Sequence, residues 1–398
     1  MNLLDVWTIL VGLVLALLVM GTLAPFEALE WWAGWYGSRT EDTDTEDTDT
    51  EDTTDASAAT QPIARVSEQH DHSRHFVVFL SGIHSVSGES YAAREIAFLE
   101  ALKARLPHIT LVELFPYSVT NRALTGQRQF ARVWRWALNN KVSGNGLAGF
   151  LINLRNLWQV AVSADRRYGP IYNRGSADMI LKGLRAKGYP FAGDTPVTLI
   201  GYSGGGQIAV GAAPYLRDAL GQPVQVISLG GVISADPGAL ALRKLYHLYG
   251  TRDAVQRLGN IMCPGRWAVV ALSPWNQAKR SGIIRLIRMG SMDHTGVDGY
   301  LDADTFVGQD DATQLYQRVI SRNTINRNVN NQSASIQNTS VQNSGSPATA
   351  SQGVNSQDVS ASSSNQPPKL SYLDVTLDTI STCLTDIESS LGAVPSPS

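Results

Sequence analysis

The chain has 398 residues, 43% of them hydrophobic, which is enough apolar material for one large domain or two smaller ones. Its formal net charge of -3 hides an acidic run at residues 40–55, and the rest of the chain is mildly basic without any recognition-helix or RNA-binding motif, so no nucleic-acid partner is expected. The two cysteines, Cys263 and Cys383, lie too far apart in sequence for a disulfide framework or a zinc site.

The first predicted element is a transmembrane anchor at residues 6–26. This segment contains no charged side chain, and as a helix rising ~1.5 Å per residue it would span roughly 31 Å, close to the hydrocarbon thickness of a bilayer. Trp7 and the aromatic residues within 31–36 suit the two membrane interfaces. A cleaved signal peptide and a buried helix are the alternatives, but only the acidic Asp5 precedes the segment where a signal peptide carries positive charge. We therefore expect an anchor with its interfacial flank over 1–36.

An acidic disordered linker is predicted at residues 37–74. Its TEDTD repeat has no apolar side chain to bury, so we interpret it as a self-repelling spacer. A calcium-binding tract is the alternative, although the repeat lacks the glycine and the ligand spacing of an EF-hand loop. No Lys or Arg precedes the anchor, whereas Arg39 and Arg65 follow it, which favours a cytoplasmic catalytic domain.

Residues 75–320 are predicted to form one α/β domain, a mostly parallel sheet with helices on both faces, because apolar runs alternate with helical stretches. Residues 89–106 repeat apolar side chains at helical spacing and predict a crossover helix. Residues 118–190 are too long for a simple crossover and predict helices of their own, either as a lid or as an ordinary insertion. The strand-like runs are 75–82, 109–117, 197–203, 224–231, 244–253 and 283–294.

The sharpest motif in the chain is GYSGG at residues 201–205. A buried apolar run precedes it and a helical run follows, which is the context that a G-x-S-x-G nucleophile elbow requires. Gly201 and Gly205 would allow the tight turn, Ser203 would be the nucleophile, and the backbone N–H of Gly204 would help to stabilise an oxyanion. A glycine-rich turn with an incidental serine and a phosphate-binding loop are the alternatives.

A serine nucleophile needs a base, and the base needs an orienting acid. His294 is the predicted base because it ends the last strand-like run and opens a loop, whereas His247, the other histidine after Ser203, lies within a run and predicts a core position. Asp253 is the predicted acid because it follows a strand end in the order Ser…Asp…His. Asp236 is the alternative acid.

The loop after the first strand-like run is expected to supply the second oxyanion donor. Gly82 would make the turn and the N–H of Ile83 would be the donor, while His84 would contact substrate or cap the next helix. A metal site built from His70, His72 and His75 is an alternative reading of the HDHSRH motif, but we expect neither a metal nor another cofactor. Asp293, next to His294, is expected to point away from the site.

The C-terminal part of the chain contains two further predicted segments. Residues 321–370 are dominated by Ser, Asn, Gln, Thr and Gly, and predict a disordered linker. Residues 371–398 predict a short amphipathic helix, because apolar side chains recur at helical spacing from Leu373 to Leu391. This helix would dock either on the domain or on a partner.

With the GYSGG elbow, the acid Asp253 in GTRD, the DH pair at His294 and the turn at Gly82, residues 75–315 resemble the α/β-hydrolase superfamily. The resemblance implies an eight-stranded, mostly parallel sheet and acyl transfer to water without a cofactor. Two features differ from the usual pattern. A serine precedes Gly82 where the superfamily usually has histidine, and fewer strand-like runs precede the elbow than a full sheet needs.

The sequence therefore predicts a membrane-anchored serine hydrolase that cleaves carboxylic esters through an acyl-enzyme. The apolar N-terminal segment and the apolar patch within 118–190 favour a lipid or another hydrophobic ester as substrate. One alternative is a catalytically inactive membrane scaffold or binding protein on the same fold, and another is a thioesterase or peptidase that uses the same triad.

Overall fold

The core of the protein is a six-stranded sheet in which all strands run parallel, in the order β2-β1-β3-β4-β5-β6. The structure is a computed structural model that describes residues 7–8, 11–12, 15, 75–85, 93–118, 146–308 and 370–392. The strands are β1 (His75–Leu80), β2 (Ile109–Leu114), β3 (Val197–Tyr202), β4 (Gln225–Leu229), β5 (Lys244–Tyr249) and β6 (Ile284–Arg288). The helices are α1 (Ala93–Arg105), α2 (Gly146–Ala164), α3 (Gly169–Ala186), α4 (Gly204–Leu220), α5 (Ala254–Met262), α6 (Pro274–Arg280) and α7 (Tyr372–Gly392).

Helices cover both faces of the sheet, so most strand side chains are buried whichever way they point. Along β1, Phe76 and Val78 join a hydrophobic cluster with α3, α4 and α6, whereas Val77 and Phe79 join a second cluster with α1 and α7. Burial on both faces explains why the strands are continuous apolar runs in the sequence instead of alternating patterns. The predicted parallel sheet with helices on both faces is confirmed.

The strand order creates a crevice at the carboxyl edge of the sheet. The chain passes from β1 to β2 on one side and then returns to β3 on the other side of β1, and a ligand site in such sheets lies where the order reverses. The described residues contain six parallel strands and no antiparallel strand, instead of the eight strands that the resemblance implies. The architecture is compatible with an α/β-hydrolase-like fold.

The predicted insertion at 118–190 contains two helices in its described part. α3 packs on β2 and α4 and therefore covers the sheet, while α2 packs on α3 and α4 and reaches the carboxyl edge. Residues 119–145 of the insertion lie outside the described residues.

Several other predicted segments also lie outside the described residues. They are the acidic linker at 37–74, most of the Ser/Asn/Gln-rich tract at 321–370 and the end of the chain after Gly392. Only Trp7, Thr8, Val11, Gly12 and Leu15 of the predicted anchor are described. Within the part of the chain that the structure describes, no helix is long and apolar enough to cross a membrane.

The C-terminal helix α7 packs on the domain itself. Ile380, Leu384 and Ile387 are buried in the cluster that α1 shares with the sheet. Polar contacts fix the same helix, because the Tyr246 hydroxyl donates to Asp386 Oδ2 over 2.6 Å. Of the two predicted docking places for this helix, the structure therefore places it on the domain, as one of the covering helices of the sheet.

Replacing Leu384 by Ala should destabilise the whole domain by about 2–5 kcal/mol, because the substitution leaves a cavity between α7 and the sheet. Thr385→Ala is the matched control, since Thr385 is exposed on the next position of the same helix and should change the unfolding free energy by no more than about 0.5 kcal/mol. Chemical denaturation of both variants measures the difference. Equal stability of the two variants would contradict the packing of α7 described above.

Candidate active site

Ser203 lies on a sharp turn between β3 and α4. Its backbone angles are φ 53° and ψ -120°, and Ser203 is one of two residues other than glycine with positive φ in the described chain. Such a conformation is strained for a residue with a side chain and recurs at functional sites. The Ser203 N–H donates to the Leu229 carbonyl over 3.0 Å, which ties the turn to the end of β4.

Glycines on both sides of Ser203 let the turn pack closely. A Cβ atom added to Gly201 would lie 2.6 Å from the Gly206 Cα atom, and one added to Gly205 would lie 2.4 Å from the Leu80 carbonyl oxygen. The start of α4 is therefore pressed against the ends of β1 and β3, where no larger side chain fits. These contacts explain the need for the predicted elbow glycines.

The structure brings the three predicted catalytic side chains into one hydrogen-bonded chain. Ser203 Oγ lies 2.8 Å from His294 Nε2, and His294 Nδ1 lies 2.9 Å from Asp253 Oδ2. A neutral imidazole with its proton on Nδ1 would donate to Asp253 and accept from Ser203. Ser203 is 4% exposed and His294 is 9% exposed. This arrangement can move a proton from the serine hydroxyl to the imidazole.

Asp253 is a buried carboxylate with a hydrogen-bond donor for each oxygen. The Gln256 N–H donates to Oδ1 over 2.8 Å, and the Tyr300 hydroxyl donates to Oδ2 over 2.7 Å beside His294. Burial alone would raise the pKa of Asp253, but hydrogen bonds and the attraction to His294 outweigh it and lower that pKa. Asp253 therefore stays ionised and can stabilise a positive charge on His294.

The alternative acid Asp236 and the neighbouring Asp293 have partners outside the triad. Asp236 caps the short 3-10 turn at Pro237–Ala241 by accepting the Gly238 N–H, and it also accepts from the Gln207 side chain. Burial raises the pKa of Asp236. Asp293 forms an ion pair with Arg252, 2.5 Å from Oδ2 to Nη2, and no described contact joins its carboxylate to Ser203 or His294.

The loop after β1 leaves the sheet beside the elbow. In the parallel pairing of β1 and β3, Leu80 is level with Gly201, so residues 81–83 run next to Ser203. A Cβ atom added to Gly82 would lie 2.9 Å from the Tyr202 ring, so a glycine is needed for the loop to pack this closely on Tyr202. The predicted donors, the N–H groups of Ile83 and Gly204, come from these two adjacent turns.

Three side chains hold the loop after β1 in place. Glu95 on α1 accepts the Gly82 N–H over 2.8 Å, Asn156 on α2 donates to the Ile83 carbonyl over 2.8 Å, and the Tyr117 hydroxyl donates to the Ser81 carbonyl over 2.8 Å. Glu95 also accepts a short hydrogen bond from Ser85. Because all three side chains are buried, the turn that carries the Ile83 N–H is held by the protein before any ligand binds.

Sequence reasoning did not identify Glu95, Asn156, Tyr117 or Tyr300 as parts of this site. Glu95 carries a usable signal, because it shares the apolar stripe of α1 with Phe98, Leu99 and Leu102 at helical spacing. A carboxylate on a buried helix face needs a partner, which predicts a polar contact. The others lack such a signal, since their partners are backbone or side-chain groups far away in sequence.

The structure describes His75 and His84 among the remaining predicted histidines. His75 opens β1, buried, with Nε2 2.7 Å from Thr198 Oγ1 and Nδ1 3.3 Å from Glu388, whereas His70 and His72 lie outside the described residues. His84 is exposed in the turn after β1. Among the described side chains, no group of three or more His, Cys, Asp or Glu could hold a metal ion.

His247 is buried in β5, as predicted for a core histidine. Its Nδ1 lies 3.2 Å from Ser228 Oγ and its Nε2 lies 3.0 Å from the Gln256 amide nitrogen. Burial, together with the charge of Arg266, lowers the pKa of His247 to about 3, so the ring is neutral at pH 7.

No protein-family model matches this chain, and no curated protein matches it either. The class of protein is therefore argued from the fold and from the geometry of the site.

Acid should destabilise the protein partly through His247. Its pKa in the folded state, about 3, lies below the ordinary value of 6.5, so the stability that it contributes is complete above pH 6.5 and is lost as the pH falls towards 3. Within that window the loss is about 1.4 kcal/mol per pH unit at most. Denaturation of the wild type and of His247→Gln across pH 4–7 should give a shallower pH dependence in the variant. Parallel curves would contradict the burial of a neutral His247.

Proposed function

We propose that the chain is a serine hydrolase of the α/β-hydrolase superfamily, held at a membrane by residues 6–26, and that it cleaves carboxylic esters. The observation that carries this proposal is the hydrogen-bonded chain from Ser203 through His294 to Asp253, at a strained turn at the carboxyl edge of a parallel sheet. A serine hydroxyl is a weak nucleophile, and a hydrogen-bonded imidazole with an orienting carboxylate is the arrangement that activates it.

In the proposed acylation, Ser203 Oγ attacks the ester carbonyl carbon while His294 Nε2 takes the hydroxyl proton. The carbonyl oxygen becomes an oxyanion that accepts hydrogen bonds from the N–H groups of Gly204 and Ile83. The bond to the alcohol oxygen then breaks, and His294 returns its proton to the leaving alcohol. Asp253 remains ionised throughout and stabilises the imidazolium, in agreement with its lowered pKa.

Deacylation repeats these steps with water as the nucleophile. His294 takes a proton from the water, the hydroxide oxygen attacks the acyl carbon, and the Ser203 oxygen leaves with the proton that His294 gives back. The products are a carboxylic acid and the regenerated serine. These reaction steps need no cofactor, because His294 accepts and returns each proton that moves.

Apolar side chains next to the elbow favour a hydrophobic acyl group. A Cβ atom at Gly204 would lie 2.6 Å from Val160 Cγ2, 3.0 Å from the Tyr117 hydroxyl and 3.1 Å from Ile83 Cγ2, so two aliphatic groups, one from α2 and one from the loop after β1, lie beside Gly204. The apolar segment at 6–26 would hold the enzyme at a membrane, where hydrophobic esters concentrate. Both features support a lipid or another hydrophobic ester as substrate.

A panel of acyl esters, acyl thioesters and peptides tests this function on the full chain. We expect hydrolysis of medium- or long-chain esters by the wild type, and a loss of about 10⁴-fold or more in kcat for Ser203→Ala, because the nucleophile is gone. Ser281→Ala is the matched control, since Ser281 is exposed and lies in the turn after α6. Preference for thioesters or peptides would assign the same triad to another bond. Activity that survives in Ser203→Ala, or its absence with every substrate, would refute the proposed hydrolase, and the absence would favour the inactive scaffold.

Asp253→Asn should lower kcat by about 10³–10⁴-fold, because an amide would not stabilise the imidazolium or hold the reactive tautomer. Asp236→Asn is the control, since Asp236 contacts Gln207 and Gly238 and no triad residue in the described contacts. Initial rates on the best ester of the panel measure both variants. A larger loss in Asp236→Asn than in Asp253→Asn would reverse the assignment of the acid.

A further inference from the structure

An apolar surface lies on α5 and on the loop that follows it, residues 263–272. Val269 is 85% exposed and Leu272 is 82% exposed, which is unusual for two aliphatic side chains three positions apart in one loop. We call the exposed apolar side chains of this stretch the 258–272 surface; its main members are Leu258, Ile261, Met262, Trp267, Val269 and Leu272.

Buried polar groups hold the loop of the 258–272 surface in one conformation. The Asn276 amide on α6 donates to the Trp267 carbonyl over 2.8 Å and to the Val270 carbonyl over 3.0 Å. The Arg266 guanidinium donates to the Ile233 carbonyl over 3.0 Å and stacks over the Trp275 ring at 4.1 Å. The backbone is therefore fixed from beneath while the aliphatic side chains face outwards, so their exposure is a built feature of the fold.

The stretch of chain that carries the 258–272 surface is basic. Residues 254–292 contain six basic side chains and no Asp or Glu. Of these six, Arg257 is exposed within α5 itself, whereas Arg266 is buried beneath the loop and Arg285 pairs with Asp386. An apolar surface with an exposed arginine on the same helix suits an anionic lipid headgroup layer above hydrocarbon.

This surface adjoins the candidate active site. α5 begins directly after Asp253, at the same edge of the sheet as Ser203 and His294. Val232 connects the two regions, because its N–H donates to the Ser203 carbonyl over 3.3 Å and a Cβ atom at Gly259 on α5 would lie 2.6 Å from its Cγ1.

We propose that the 258–272 surface docks on an anionic lipid bilayer, as a second membrane contact separate from residues 6–26. The contact would insert Val269 and Leu272 among the lipids while Arg257 pairs with headgroup phosphates or carboxylates. It would also bring the edge of the sheet that carries Ser203 to the membrane. This last consequence, delivery of a membrane-borne ester to the site, rests on the proposed function, whereas the docking itself does not depend on the hydrolase activity.

The length of the chain between the two membrane contacts permits both at once. The chain enters the domain at the amino end of β1, opposite the edge that carries the docking surface. Residues 37–74 span at most about 130 Å at ~3.5 Å per residue. That covalent length exceeds the size of the domain, which is about 40 Å across on general scaling. The anchor therefore does not prevent the opposite edge from facing the bilayer.

Cleavage of the linker in the membrane-bound full chain separates the two contacts. A protease site replaces part of the acidic repeat at 40–55, and the full chain is reconstituted into vesicles of neutral phosphatidylcholine or of phosphatidylcholine with phosphatidylserine. After cleavage, sedimentation gives the fraction of the domain that stays with the vesicles. We expect retention on the anionic vesicles, release from the neutral vesicles, and loss of the retained fraction as salt is added.

Variants assign the retention to the 258–272 surface. The double variant Val269→Ser with Leu272→Ser should weaken partitioning to anionic vesicles by at least about tenfold, because two apolar side chains no longer insert. Arg257→Gln should weaken it about fivefold. Ile96→Ser is the control, since it removes an exposed aliphatic side chain from α1, which packs with α7 on the sheet face opposite α6.

The outcomes separate docking from the other possible occupants of the surface and from catalysis. Release from anionic vesicles, equal retention on neutral ones, or wild-type retention by the double variant would overturn the proposal. A cleaved domain that is dimeric in solution through these residues and is released from vesicles would assign the surface to a second copy instead. The same measurement on Ser203→Ala should give unchanged retention, so a failure of docking is distinguishable from a failure of the hydrolase proposal.

Discussion

The backbone turn at Ser203 is the constraint on which the rest of the site depends. A positive φ at a residue with a side chain is unfavourable, and here it is held by the Ser203 N–H bond to the end of β4 and by the close contact of Gly205 with the end of β1. Because the strands are all parallel, the ends of β1, β3, β5 and β6 lie at one edge. The turn therefore projects the serine side chain towards groups that the neighbouring strands deliver, namely the Ile83 loop, Asp253 and His294.

Electrostatics then separates the roles of the two candidate carboxylates. Asp253 and Asp236 both follow strands, and burial acts to raise the pKa of each. Asp253 accepts hydrogen bonds from His294, Tyr300 and a backbone N–H, so its ionised form is stabilised and its pKa is lowered. Asp236 accepts fewer hydrogen bonds, so the effect of burial is larger and the pKa of Asp236 is raised. The acid that contacts the imidazole is also the one that the fold keeps charged, as an orienting carboxylate requires.

The strands and the glycine-flanked turn at Ser203 can be read from the sequence because their signals are local. Buried parallel strands are continuous apolar runs, and the glycines around Ser203 reflect contacts within a few residues along the chain or at adjacent strand ends. The placement of α7 is not predictable in the same way, because its apolar face fits the domain or a partner equally well until the sheet is known. Glu95 and Tyr300 act through residues 13 and 47 positions away, and such pairings follow from the packing of helices and loops on the finished sheet. The exposed aliphatic side chains after α5 depend likewise on Asn276, which fixes the loop from another helix.

Attack by Ser203 on an electrophilic centre is tested most directly by labelling the full chain with a fluorophosphonate and locating the adduct by peptide mass spectrometry. The geometry at the elbow predicts one phosphonyl adduct, on the peptide that carries Ser203, which forms much more slowly in His294→Ala because the base is missing. The adduct should be absent from Ser203→Ala. A folded protein that takes up no label, or a label that persists in Ser203→Ala, would contradict the assignment of Ser203 as the nucleophile.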